Sequence, residues 1–181
     1  DGEGKYNQKL NDMSLLEHVY HKVKNQFIIT AVNLNNKERK VSLKIDLVYD
    51  QFSYNVGPLA GIHSALKYGQ EKIGENGYVC TVPVDTPFLP NDLAQKFYEN
   101  IKNLKVDVVM AKSRNRIHPT IAIWKNNLLP RLQESIEKGV RKIDQFTSEL
   151  KVSVLEWDIV KIDPFYNINN YEDLEEAKKW L

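Results

Sequence analysis

The sequence predicts a three-layer α/β fold, a mostly parallel sheet with helices on both faces, and three observations carry that expectation. Short, nearly all-apolar runs alternate along the 181 residues with stretches in which apolar residues recur every three or four positions. The apolar runs lack strict in-out alternation, as strands covered on both faces do. Composition is that of an ordinary globular chain, 42% hydrophobic and 27% charged, with 7 Pro and 8 Gly dispersed. Disordered, collagenous and low-complexity classes are thereby excluded. With no internal repeat or linker, residues 1–181 read as one domain.

The elements follow in order. A helix is expected over 14–25, because Ser14 and Glu17 make a capping-box pair and Leu15, Leu16, Val19, Tyr20 and Val23 share a stripe. Residues 27–32 read as a buried strand that ends in the turn-forming Asn33-Leu34-Asn35-Asn36, and a second strand is expected at 45–49. Pro58 then stands at the first position of a helix running to about residue 68. Residues 78–84 form the next apolar run, in which Pro83 must sit where its missing N–H is tolerated. Asn91-Asp92 precede a helical stripe of Leu93, Ala94, Phe97 and Ile101. Two strands are expected at 106–111 and 117–124, helices at 128–138 and 142–150, a strand at 152–157 and a closing helix at 171–180.

Charge and motifs narrow the function. Twenty-five Lys and Arg against twenty-four Asp and Glu leave a net charge of +1, which gives no broad attraction for nucleic acid or an anionic membrane. No apolar run reaches the ~18 residues that span a bilayer, and Asp1-Gly2-Glu3-Gly4-Lys5 has no apolar signal core. The lone Cys80 cannot form an intrachain disulfide, so a cytoplasmic protein is expected. There is no Gly-x-Ser-x-Gly elbow, His-Glu-x-x-His, Cys-x-x-Cys or complete Walker loop, so the common hydrolase and zinc sites lack support.

In open α/β sheets ligands bind beyond the carboxyl ends of the strands, and the residues placed there are the candidates. Asp85 directly follows an apolar run, where its oxygens suit a magnesium ion carrying substrate phosphates; an Asx-type turn before Pro87 accounts for the same spacing. Asp50 follows another strand, as a ligand contact or a solvated loop acid. Gly57-Pro58-Leu59-Ala60-Gly61 combines a glycine that permits close backbone approach with a proline-fixed helix start, which serves an anion, a base edge or the helix alone. Lys112, Arg114, Arg116 and His118 form a basic loop able to hold phosphate oxygens or simply to be solvated. Asn167 and Asn169 alternate in a segment where Asn170 is placed to cap the last helix.

Taken together and in order, Gly57-Pro58-Leu59-Ala60-Gly61, Val82-Pro83-Val84-Asp85-Thr86-Pro87, His118-Pro119 and Asn167-Ile168-Asn169 resemble the molybdenum cofactor guanylyltransferase family over essentially the whole chain. The resemblance implies a Rossmann-like, nucleotide-diphospho-sugar-transferase-like fold. It also implies a magnesium-dependent enzyme that moves GMP from GTP onto molybdopterin and releases pyrophosphate. Transient contacts with cofactor-biosynthesis proteins and recipient molybdoenzymes would follow. On this resemblance Lys5 and Asp85 are catalytic, Asp85 as the magnesium-binding acid and Lys5 as a phosphate contact. Asn33, Asp50, Gly57, Pro58, Leu59, Ala60 and Gly61 are nucleotide contacts, and Arg141, Lys142, Asn167 and Asn169 lie on the molybdopterin side. The family opens with a strand and a loop of the form Leu-Ala-Gly-Gly-x-Ser-x-Arg-Met-Gly shortly before its lysine. That segment does not stand in this sequence, so the sheet is expected to lack its first strand and glycine-rich loop. A cytidylyl- or sugar-nucleotidyltransferase of the same fold group, or a noncatalytic molybdopterin-binding module, is the alternative.

Overall fold

The computed structural model describes residues 7–39, 41–52 and 56–181; Lys5 lies outside them. A small antiparallel ladder, β1 (Lys9–Leu10) with β2 (Met13–Ser14), leads into α1 (Leu15–Val23). The capping box forms as expected. Ser14 Oγ accepts from the Glu17 N–H at 3.2 Å, and the Glu17 carboxylate accepts from the Ser14 N–H at 2.7 Å. Those bonds hold the Glu17 carboxyl below its ordinary pKa.

β3 (Ala31–Leu34) pairs in parallel with β4 (Asp46–Tyr49). The strand expected at 27–32 is therefore displaced toward Asn33. Its ladder begins where Ala31 meets Asp46, and Ile28, one turn of chain earlier, is 96% exposed. Next come α2 (Pro58–Ile73), β5 (Tyr78–Thr81), α3 (Leu93–Leu104), β6 (Val108–Ser113) and β7 (Arg116–Lys125). A 3-10 turn at Asn126–Leu128 is followed by α4 (Leu129–Glu137), α5 (Ile143–Thr147), β8 (Val152–Glu156) and α6 (Tyr171–Lys178). β5 stops before Pro83, so the missing N–H falls outside the ladder. α5 is shorter than the expected 142–150: the Thr147 hydroxyl bonds back to the Ile143 carbonyl and the Leu150 N–H closes a turn onto Thr147.

The main sheet has the order β5-β7-β6-β8. It is mixed rather than mostly parallel: β7 runs antiparallel to both β5 and β6, whereas β6 and β8 are parallel. The reason is local. Only Arg114 and Asn115 separate β6 from β7, and a connection that short returns the chain as a hairpin. Alternate residues serve opposite faces. Val108, Met110, Ala122 and Trp124 pack with α2, α4 and α5, while Val109, Ala111, Ile121 and Ile123 pack with α1 and α3. Burial on both faces explains the continuous apolar runs, and the α/β class stands.

Among the described residues, β3 pairs only with β4 and β5 only with β7. Both border one cavity of about 960 Å³, walled by apolar side chains including Val19, Val23, Ala31, Ala65, Val79 and Val82. No helix among the described residues is long and apolar enough to cross a membrane.

Candidate functional site

β3 delivers Asn33 to the cavity between the buried Val32 and Leu34. Its amide Nδ2 donates to Asp50 Oδ1 at 2.8 Å, and the Asp50 N–H bonds the Leu34 carbonyl at 3.1 Å, so the ends of β3 and β4 are locked together. The third member is Gly61. A Cβ there would lie 3.3 Å from Asn33 Nδ2, so the missing side chain lets the amide rest on the first turn of α2. Gly57 has φ +62° and ψ −148°, a conformation that side chains resist, and a Cβ on it would meet the Arg141 carbonyl at 3.3 Å. Pro58 opens α2, and no side chain caps that helix start. Pro58 has no N–H and the Ala60 N–H donates to the Gly57 carbonyl at 3.3 Å, so what this helix start offers an anion is chiefly the positive end of the helix dipole. Leu59 and Ala60 point into the core, leaving only their backbone to a ligand.

Across the cavity the chain leaves β5 through Val82 and Pro83 and reaches Asp85. The Thr86 hydroxyl closes this turn by donating to the Pro83 carbonyl at 2.9 Å. The Ile168 N–H donates to the Asp85 carbonyl at 2.9 Å, which draws the Asn167–Asn169 segment against Asp85. Asn167 Oδ1 is buried without a hydrogen-bond partner, one residue before the N–H that bonds the Asp85 carbonyl. Asn170 caps α6 by accepting from the Asp173 N–H, and the Asn169 N–H bonds Asp173 Oδ2, both at 2.8 Å.

Other candidates stand apart. Arg141 directs Nη1 to the carbonyls of Ile136 and Val140, at 2.8 Å each, where it satisfies the end of α4; its backbone, though, touches Gly57. Lys142 is exposed at the start of α5. In the basic loop, Lys112 pairs with Glu156 at 2.9 Å and Arg114 approaches Asp163 at 3.9 Å. His118 meets Ser113 Oγ at 2.9 Å instead of facing the cavity. Among the described residues no group of three His, Cys, Asp or Glu side chains could hold a metal. The contact between Asn33 and Gly61 was invisible in the sequence, because a helix and a strand bring them together across 28 residues of chain.

A family model described as a MobA-like NTP transferase domain matches residues 1–152. The chain belongs to that family. It is 30% identical over 168 residues to a molybdenum cofactor guanylyltransferase of Rhodopseudomonas palustris, covering 92% of this chain and 80% of that protein. To the Rhizobium johnstonii protein of the same name it is 32% identical over 186 residues, covering 99% and 86%. Among solved structures, molybdopterin-guanine dinucleotide biosynthesis protein A from Archaeoglobus fulgidus superposes with a TM-score of 0.78 at 24% identity, covering 99% of this chain and 91% of that one. The 2-C-methyl-D-erythritol 4-phosphate cytidylyltransferase of Francisella tularensis gives 0.73 at 15%, with 99% and 94% covered, a likeness of fold. The MobA-like chain is thus a nucleotidyltransferase by family.

Proposed function

We propose that this nucleotidyltransferase moves GMP from GTP to molybdopterin, in the cytoplasm. The observation that carries the reading is the convergence of Asn33, Pro58, Gly61 and Asp85 on one cavity, with Asn33 held by Asp50 and the Asp85 carbonyl bonded to the Ile168 N–H, next to Asn167. The relatives' name, molybdenum cofactor guanylyltransferase, supports a guanylyl group as what is moved and the molybdenum cofactor as its acceptor. A phosphate oxygen of molybdopterin bonds to the α-phosphorus of GTP while the bond to the bridging oxygen breaks, and pyrophosphate leaves with that electron pair. No protein nucleophile is needed, so alignment and charge neutralisation dominate. Asp85 and the Asn167 carbonyl oxygen fit a magnesium ion, a hard cation that keeps waters and substrate phosphates in its shell and needs few protein oxygens. Bound there, magnesium would offset phosphate charge. Asn33, tied to Asp50, orients the nucleoside end; the positive end of α2 and Lys5 receive phosphate oxygens. Arg141, Lys142 and Asn169 border the pterin end.

The cavity also supports a proposal about the sheet. An extended apolar segment seated between β3 and β5 would bond both strands and join the β3–β4 pair to the four-stranded sheet.

The reading is tested by incubating the protein with magnesium, molybdopterin and GTP, CTP or ATP in parallel, and following pyrophosphate and the dinucleotide product by mass spectrometry. Product from GTP alone is expected, because a site built to pair one base edge leaves buried polar groups unpaired with another. Equal use of CTP returns the cytidylyl alternative. Molybdopterin binding with no turnover returns the noncatalytic module.

A further inference from the structure

His118 belongs to a motif with no part in the site so far, and its surroundings give it one. The β6–β7 hairpin pairs Ser113 with Arg116, Lys112 with Ile117 and Ala111 with His118, after which the register jumps and Met110 faces Ala122. Pro119, Thr120 and Ile121 are the extra residues of that bulge, where a proline costs no ladder hydrogen bond. His118 Nε2 meets Ser113 Oγ, a fully buried hydroxyl, at 2.9 Å. One side of the ring lies against Phe165, with centroids 5.1 Å apart.

Phe165 is 1% exposed and is held from its other side by Trp157, edge-on at 5.4 Å. Trp157 is itself fixed, since its indole N–H donates to Asp92 at 3.0 Å. Two residues beyond Phe165 stands Asn167 with its buried, partnerless oxygen, and next to it the Ile168 N–H that bonds the Asp85 carbonyl. The ring of His118 therefore supports Phe165, an aromatic anchor of the segment through which Asn167 and Ile168 reach Asp85, beside the Tyr166–Phe88 contact that follows it. Burial keeps the imidazole below its ordinary pKa, so the support is a neutral ring suited to an aromatic neighbour.

We propose that His118 is a positioning residue, which through Ser113 and Phe165 sets Asn167 and the Ile168 N–H against Asp85. The consequence for transfer rests on the function proposed above; the positioning itself does not. The test is amide hydrogen exchange, residue by residue, on the 181-residue chain and its His118→Ala and His118→Phe variants. In His118→Ala the Ile168 amide is expected to exchange about tenfold or more faster, while Leu132 and Ile136, across the sheet in α4, keep their protection. His118→Phe, which keeps an aromatic face on Phe165, should recover much of the Ile168 protection. Unchanged exchange at Ile168 in His118→Ala would overturn the proposal, as would equal loss at Ile168, Leu132 and Ile136, the mark of a merely structural role. In the transfer assay His118→Ala should lower kcat about tenfold with the KM for GTP little changed. If the unaltered protein transfers nothing, the functional reading fails, and the exchange result still decides the role of His118.

Discussion

Asp85 carries the largest expectation for a single side chain. It stands where the chain leaves β5, its backbone bonded to Ile168 and its carboxylate on the cavity wall. Asp85→Asn keeps size and shape while removing the charge, so the fold should persist and guanylyl transfer should fall more than about tenfold, at least ~1.4 kcal/mol of barrier. Steady-state rates with magnesium, beside an unchanged melting temperature, check this. Gly57 makes a steric prediction: at φ +62° an alanine is strained and its Cβ crowds the Arg141 carbonyl. Gly57→Ala should cost about 1–3 kcal/mol in denaturant unfolding. His63 gives a pH prediction. It is buried at 4% exposure beneath Phe52, and burial lowers its pKa below 6.5, opposed by Gln133 and Glu137 and aided by Lys67. The folded state thus prefers the neutral ring, and its contribution is present above the unfolded pKa and lost as pH falls toward the lowered folded value. The melting temperature should drop between about pH 7 and 5, and that drop should shrink in His63→Gln.

At the scale of elements, helices with local signals were legible and pairing was not. The Ser14–Glu17 box and the Asn170 cap were readable because cap and capped N–H are three residues apart. Ser14→Ala should accordingly cost about 1 kcal/mol, measured by urea unfolding. Pro58 likewise marked the start of α2. Strand limits depend on distant partners: β3 begins at Ala31 because Asp46 is opposite it, a fact absent from Phe27-Ile28-Ile29 themselves. The antiparallel course of β7 was hidden for a related reason, since an apolar run buried on both faces looks the same in either direction. Site residues divide along the same line. As candidates, Asp85, Gly57 and Asn167 stand out as motif members, whereas the amide of Asn33 lying on Gly61 and the ring of His118 on Phe165 are contacts between elements far apart in sequence.

At the scale of the whole molecule, the cavity bordered by the β3–β4 pair and the four-stranded sheet is the feature to account for. About 960 Å³ of space lies beside β3 and β5 and opens to solvent. Strand edges present rows of N–H and C=O groups, and here they border a space whose walls are largely apolar. An extended segment placed there would bond on both sides, bury the exposed surface of β3 and β5, and present its following loop to the triphosphate next to Asp85. This gives a quantitative comparison. A chain lengthened upstream by about 15–20 residues, one strand and its loop, should melt at higher temperature and bind GTP at least about tenfold tighter, ~1.4 kcal/mol, than the 181-residue chain. Paired calorimetric titrations with magnesium present measure the difference, and the N–H groups of the added loop are its physical source. Matching affinities would place the triphosphate elsewhere, on the α2 start and Asp85 alone, with the cavity a feature of packing and not of the nucleotide site.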